Sequence, residues 1–304
     1  MLVVGVDENG LGPQLGPLVA TALVAEVETY DAERFRALGF ELEVGDSKQT
    51  SAFGKMEHAE GVALALAEIE VGHVPETFDE LLEALSLDGL LGLRAPCPDR
   101  ETTRQCWAPE MKLPMYEGDV EAGRAILKQL SRRGFRIKRL RTTLACAGVL
   151  NEALDAGRTK LQVDLNLFER LVLDAAASFD EPLECYCGLV GGIRNYPKYF
   201  RHFDGFETVS EEKGLFVYRV DEVGSVAFEI KADDHHLPVG LASMLGKYVR
   251  ELGMARIIEF YREHDEDLPK ASGYHDSVTK RFMDGTVALR KKLQIYNGCF
   301  RRRG

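Results

Sequence analysis

The chain has 304 residues, 45% of them hydrophobic, and a formal net charge of −11. That length supports one large domain with its own core, or a domain plus an appendage, and near-average Gly and Pro exclude a collagen-like or disordered composition. The opening MLVVGVDENG has neither a basic segment nor a long apolar run and so does not read as a signal peptide, and no stretch approaches the length of a membrane span.

The six cysteines are scattered without zinc-ribbon spacing, which points to reduced thiols and a cytoplasmic protein. The acidic balance argues against a generic nucleic-acid binder, but the charge is unevenly spread. Residues 1–120 hold 23 acidic and 8 basic side chains, a balance of −15, so the remainder carries +4. The run Arg124, Lys128, Arg132, Arg133, Arg136, Lys138, Arg139 and Arg141 and the terminal Arg301–Arg303 fit a local basic surface or, equally, a solvated helix face and a tail.

In chain order, residues 2–8 (LVVGVDE) read as a buried strand and 17–26 as a second, joined by a short Gly/Pro-rich hairpin linker. A third short strand is expected near 40–44, and helical periodicity follows at 54–69 and 77–86. Residues 87–118 have several prolines and no clear period, as in an inserted subregion. A helix over 119–133 leads to a strand near 135–145. Next come an amphipathic helix over 159–178, a buried strand over 183–190, two or three strands in 206–231, a long helix over 238–264, and a helical tail around 276–293. This alternation indicates an α/β fold, a mixed central sheet with helices on both faces. The expected organisation is a catalytic-type domain over 1–264, carrying the insertion at about 87–118, and a C-terminal helical extension over 265–304 packed on it.

Asp7-Glu8 at the end of the first strand is the most informative feature. An acid that follows a buried apolar run needs compensation, and a divalent metal is the usual one, although a simple turn cap would also place an Asp there. Asp233-Asp234 follows the strand-like VAFEIKA and precedes the long helix; one Asp suffices for an N-cap, and here there are two. Carboxylates converging from distant strand ends are how Mg²⁺ is held against a phosphodiester. Ser243 and Lys247 are four apart and share a helix face, and a cation near a helix start favours phosphate.

These segments match a family pattern. GVDENGLGPQLGPLVATALV at 5–24 resembles the opening of the ribonuclease HII (type 2 ribonuclease H) family. GDSK at 45–48 resembles its DSK segment, KADDHHLPVGLASMLGKYVRE at 231–251 its late Asp…ASxxAK motif, and SGYHDSVTKRF at 272–282 its SGY segment. The insertion lies outside the resemblance. The resemblance implies a ribonuclease H-like fold and an Asp-Glu-Asp-Asp site for two Mg²⁺ or Mn²⁺ ions. It also implies endonucleolytic hydrolysis of RNA in RNA–DNA hybrids or at ribonucleotides embedded in duplex DNA. Carried over, Asp7, Glu8 and Asp233 are catalytic metal ligands. Gly10, Leu11, Gly12, Lys48, Ser243, Lys247 and Tyr274 contact the nucleic acid.

Two departures stand out. The family's third Asp falls in YCGLVGG, where Cys187 occupies the position, and a soft, mostly protonated thiol is a poor ligand for Mg²⁺; Asp234 is a candidate substitute. In the family's GRG loop the Arg is Leu11, which removes a bidentate guanidinium. The alternative reading is therefore a catalytically impaired or inactive nucleic-acid-binding protein on the same scaffold. A sugar-kinase or actin-like ATPase would want a phosphate-loop Ser/Thr after Asp7, which Asp7-Glu8-Asn9-Gly10 lacks.

Overall fold

The computed structural model describes residues 1–44 and 56–303. Strands β1 (Leu2–Asn9) and β2 (Leu18–Glu26) form the expected hairpin. Helix α1 (Ala32–Glu41) follows, started by the Asp31 side chain accepting from Arg34 N. It occupies the place of the strand expected near 40–44: the alternating GFELEV pattern is the hydrogen-bonded C-terminal end of this helix, where Leu42 N donates to Leu38 O and Val44 N to Gly39 O, and Leu42 and Val44 join the core. Helices α2 (Glu57–Val71) and α3 (Phe78–Leu85) fit the predicted periodicity.

The region read as irregular holds two short helices, α4 (Gly89–Arg94) and α5 (Arg104–Trp107). Its last segment is tied down by one buried carboxylate. Glu60 accepts from the backbone N–H of Met115 (2.6 Å), Tyr116 (2.6 Å) and Gly118 (2.9 Å) and from the Tyr248 hydroxyl (2.8 Å). Helix α6 (Val120–Arg132) leads to β3 (Arg136–Ala145). Helix α7 (Ala147–Asp155), unread in the sequence, precedes α8 (Lys160–Ala177), which begins with a Thr159/Gln162 capping box.

The second half comprises β4 (Leu183–Gly188), β5 (Phe206–Glu212), β6 (Leu215–Val220) and β7 (Gly224–Glu229). After them come the short α9 (Ala232–His235), the long α10 (Leu237–Arg262), and α11 (Ser277–Gly285), α12 (Val287–Lys292) and α13 (Asn297–Phe300) near the C-terminus.

The strands make one mixed sheet in the order β3-β2-β1-β4-β7-β6-β5, with β1, β4 and β7 parallel and the outer pairs antiparallel. Successive strand residues alternate between two cores. Val3, Val19 and Leu23 pack with α2, α3 and α10, whereas Val4, Val6, Cys185 and Cys187 pack with α8. A third cluster joins Leu15 and the end of α10 to Phe282 and Phe300 of the C-terminal helices. Each fully buried aliphatic side chain contributes about 1.5–3 kcal/mol. Helix α10 crosses β1 so closely that a Cβ at Gly5 would lie 2.1 Å from the Pro238 carbonyl carbon. That contact brings Asp233 and Ser243 to the end of β1. Among the described residues, no helix is long and apolar enough to cross a membrane.

The dense basic run is largely neutralised. Arg124 pairs with Glu68 and Glu121, Arg133 with Glu41, Arg136 and Lys138 with Glu26, Arg139 with Asp174, and Arg141 with Glu70. The expected basic surface is thus a belt of ion pairs along α6 and β3.

Candidate active site

Alternation along β1 sends Asp7 to the α10 face of the sheet and Glu8 to the α8 face, and both side chains turn past the strand end into one cleft of about 580 Å³. Burial holds the Asp7 carboxyl well above the usual carboxylate range, and the charges of Glu8 and Asp233 push the same way; the Ser243 hydroxyl, donating to it, pulls back. Glu8 is likewise pushed well up, first by burial and then by Asp164, with a hydrogen bond to Asp7 pulling back. The first strand thus ends in two neighbouring carboxyl groups, with the charge of Asp233 at the start of α9 felt by both.

Position 187 requires a correction. Parallel pairing sets Cys187 opposite Val6, so its side chain lies wholly buried in the apolar core on the α8 side, and burial pushes its thiol well above its ordinary pKa. The neighbour that faces Asp7 is Gly188. A Cβ built there would sit 2.5 Å from Asp7 Oδ1 and 3.5 Å from Glu8 Oε2. The strand end that the resemblance furnishes with a third carboxylate therefore carries no side chain. Asp234 does not substitute: its carbonyl accepts from Arg36 Nε at 2.8 Å, and it lies with Arg36, Phe40 and Leu237 outside the cleft.

The acid that sequence reasoning missed is Asp164 of α8. It is fully buried, and neither carboxylate oxygen has a hydrogen-bond partner among the described residues. Burial first, then the Asp7 charge, pushes its pKa well up, and in turn it is the largest electrostatic influence on Glu8. The signal was present in the sequence: Asp164 shares the inward stripe of α8 with Leu167, Phe168 and Leu171, where an apolar residue belongs.

The residues expected at the nucleic acid fall into three groups. Gly10, Leu11, Gly12, Lys247 and Tyr274 line the cleft with the acids. Ser243 also lines it but is nearly buried, and its hydroxyl serves Asp7 while its carbonyl accepts from Asn9 Nδ2 at 3.0 Å. Lys48, with the whole GDSK segment, lies outside the described residues. Sequence reading also missed Arg250, one turn beyond Lys247. Its guanidinium stacks over the half-exposed Tyr274 ring at 4.8 Å, donates to Ser272 O at 2.7 Å and pairs with Glu251. The 272–276 segment is in turn tied to the β1–β2 loop, because Gly273 O accepts from Gln14 N (2.7 Å) and Leu15 N (3.2 Å).

A divalent ion suits this donor set. Every candidate ligand is a carboxylate, a hard oxygen donor of the kind Mg²⁺ and Mn²⁺ prefer, and the two orphaned oxygens of Asp164 lie beside acids already crowded enough to resist ionisation. Among the described residues, no three His, Cys, Asp or Glu side chains converge tightly enough to hold an ion as they stand. Mg²⁺ does not require a full protein cage, because it keeps several waters and takes substrate phosphate with one or two carboxylates.

The sequence matches no family profile and no curated protein. Among solved structures, the chain is similar to ribonuclease HII of the PCNA:RNase HII complex from Archaeoglobus fulgidus, with 18% identity over 100% of this chain and 95% of that one and a TM-score of 0.49. It is also similar to ribonuclease H2 from Pyrococcus horikoshii OT3 (16% identity, 99% and 92% covered, TM-score 0.49) and to Bst-RNase HIII in complex with Mn²⁺ (14% identity, 95% and 71% covered, TM-score 0.42). This likeness concerns the course of the chain and says nothing by itself about activity.

Proposed function

We propose that the chain is a metal-dependent endonuclease of the ribonuclease HII type, acting on RNA–DNA hybrids or on ribonucleotides embedded in duplex DNA. The observation that supports this reading most is the gathering of Asp7, Glu8 and Asp233 in the lining of one cleft, with Asp164 buried behind Glu8, together with Gly10, Gly12, Lys247 and the Arg250–Tyr274 stack in the same lining.

In this reading Asp7, Glu8 and Asp233 hold Mg²⁺ or Mn²⁺. When bound, such ions supply a nucleophilic water and stabilise the leaving 3′-oxygen. The chain's own residues do the rest. Ser243 orients the Asp7 carboxylate by donating to it. Lys247 provides a point charge for a phosphate beside the reacting one. Tyr274, stiffened by the guanidinium beneath it, offers an aromatic face to a sugar or base. Gly12 leaves the backbone open to close approach, with nothing within 4 Å of where its Cβ would sit, whereas Gly10 is packed against the Pro17 carbonyl and the Arg250 side chain.

The bare strand end at Gly188 favours a second reading, a binding protein on the same scaffold with impaired chemistry. The two part on one comparison. With Mn²⁺ or Mg²⁺, the nuclease cleaves a duplex carrying a single ribonucleotide; the impaired protein binds that duplex tightly and leaves it intact. A protein that neither binds nor cleaves it contradicts both.

A further inference from the structure

The loop between β1 and β2 is built around a guanidinium from the far end of the chain. Arg302 donates from Nε and Nη2 to Gly16 O at 2.8 and 2.5 Å, from Nη1 to Pro13 O at 3.4 Å, and from Nη1 to Gly10 O. Its own N–H donates to Gln14 O at 2.9 Å. The flanking arginines anchor it on both sides. Arg301 donates to Gln14 Oε1 at 2.7 Å, and Arg303 to Asn151 O at 3.0 Å and Asp155 Oδ2 at 2.6 Å.

Arg302 is only 7% exposed, and every partner of its guanidinium described here is a backbone carbonyl. Burying a guanidinium without a counter-charge is unfavourable unless its donors are satisfied, so the loop must keep these carbonyls turned inward. Gly10 and Gly16 take positive φ, +94° and +84°, to do so. The consequence lies on the other side of the chain. In a trans peptide the carbonyl and the next N–H point in opposite directions. With Gly10 O on Arg302, the Leu11 N–H points away from Arg302, and Leu11 and Gly12 line the acidic cleft.

We propose that Arg302 is a positioning residue: it locks the Gly10-Leu11-Gly12 loop with its amides presented to a phosphate or ribose hydroxyl. The inference rests on the nucleic-acid reading of the cleft.

The test uses the full chain as wild type, Arg302→Lys and Arg302→Met, with two readouts. Amide hydrogen exchange of the loop is compared with that of β1 and β2, and the Kd for a fluorescent duplex with one ribonucleotide is measured in Ca²⁺. In Arg302→Met, Leu11 and Gly12 should exchange faster while the amides of β1 and β2 keep their protection. Kd should rise about tenfold, equivalent to ~1.4 kcal/mol, and Arg302→Lys, which keeps the charge but not the fork, should fall between. Unchanged loop exchange in Arg302→Met, or a loosened loop with unchanged Kd, overturns the inference. Failure of the wild type to bind any duplex overturns the nucleic-acid reading instead, and the exchange data still show separately whether Arg302 holds the loop. If Arg302→Met does not fold, the same comparison is made on Arg302→Lys.

Discussion

Asp164, on the helix beneath the sheet, buries both carboxylate oxygens close to Glu8 at the end of the first strand, and neither oxygen has a hydrogen-bond partner among the described residues. An acid so placed opposes folding unless it is protonated or meets a cation. Asp164→Asn keeps the shape and removes the charge. It should raise the melting temperature of the metal-free protein at pH 7.5 by about 2 °C or more, since ~1 kcal/mol moves a chain of this size by roughly that much. It should also weaken Mn²⁺ binding, read by calorimetry, by about 10- to 100-fold, the usual effect of altering a group that supports metal ligands. A lower melting temperature with unchanged Mn²⁺ affinity would show that Asp164 plays no part at the site.

The pH dependence of stability follows from the same acids. Asp7, Glu8 and Asp164 all hold their protons more tightly folded than unfolded. Below the ordinary carboxyl range, near pH 4, both states are protonated and there is no penalty. As pH rises above that range the unfolded chain releases protons that the folded chain retains, so stability falls. Metal-free protein should therefore lose melting temperature between about pH 5 and pH 8. Excess Mn²⁺ should reverse the loss, because an ion that binds only the folded state stabilises it. A melting temperature that climbs over this range without metal would contradict the placement of these acids.

Cys187 and Gly188 differ in face, and substitutions should show it. Cys187→Asp places a carboxylate in the apolar core around Val6 and Phe228. It should cost about 3 kcal/mol or more of stability, measured by urea unfolding, and bring no gain in cleavage. Enhanced cleavage by Cys187→Asp would mean that position 187 reaches the metal site after all.

Glu60 carries the docking of the segment over residues 115–118. Glu60→Ala strands the N–H groups of Met115, Tyr116 and Gly118 and the Tyr248 hydroxyl; the bonds to Gly118 and Tyr248 are buried and the other two partly so. A loss of about 3 kcal/mol or more is expected, together with faster proteolysis in 87–118. A loss below about 1 kcal/mol, the level of an ordinary surface change, would contradict this role.

Much of this arrangement was legible in the sequence because its signals are local. An apolar run broken by Asp7-Glu8 and glycines marks a strand end with chemistry on it, and Asp233 stands out as one Asp more than a cap requires. The error at Cys187 is one residue long. Strand side chains alternate, so a shift of one reverses the face, and only the pairing of Cys187 with Val6 fixes which residue meets Asp7. Asp164 broke the apolar stripe of α8 visibly, but its meaning depends on how that helix lies under β1. The basic run read as a surface is neutralised by carboxylates brought from α1, α2, α8 and β2, a tertiary fact that spacing does not encode. Arg302 looked like part of a charged tail, and only the fold carries it under the loop.

The central claim meets its most direct test in one cleavage assay. Wild type and Asp7→Asn are incubated with Mn²⁺ or Mg²⁺ and end-labelled duplex DNA containing a single ribonucleotide, beside an all-DNA duplex of the same sequence. The wild type should cut only the ribonucleotide-containing strand, and Asp7→Asn should be slower by about 10²-fold or more, the rate equivalent of ~2.7 kcal/mol, with its circular dichroism unchanged. Cleavage that survives Asp7→Asn at the wild-type rate, or no cleavage by the wild type with either metal, would contradict the assignment.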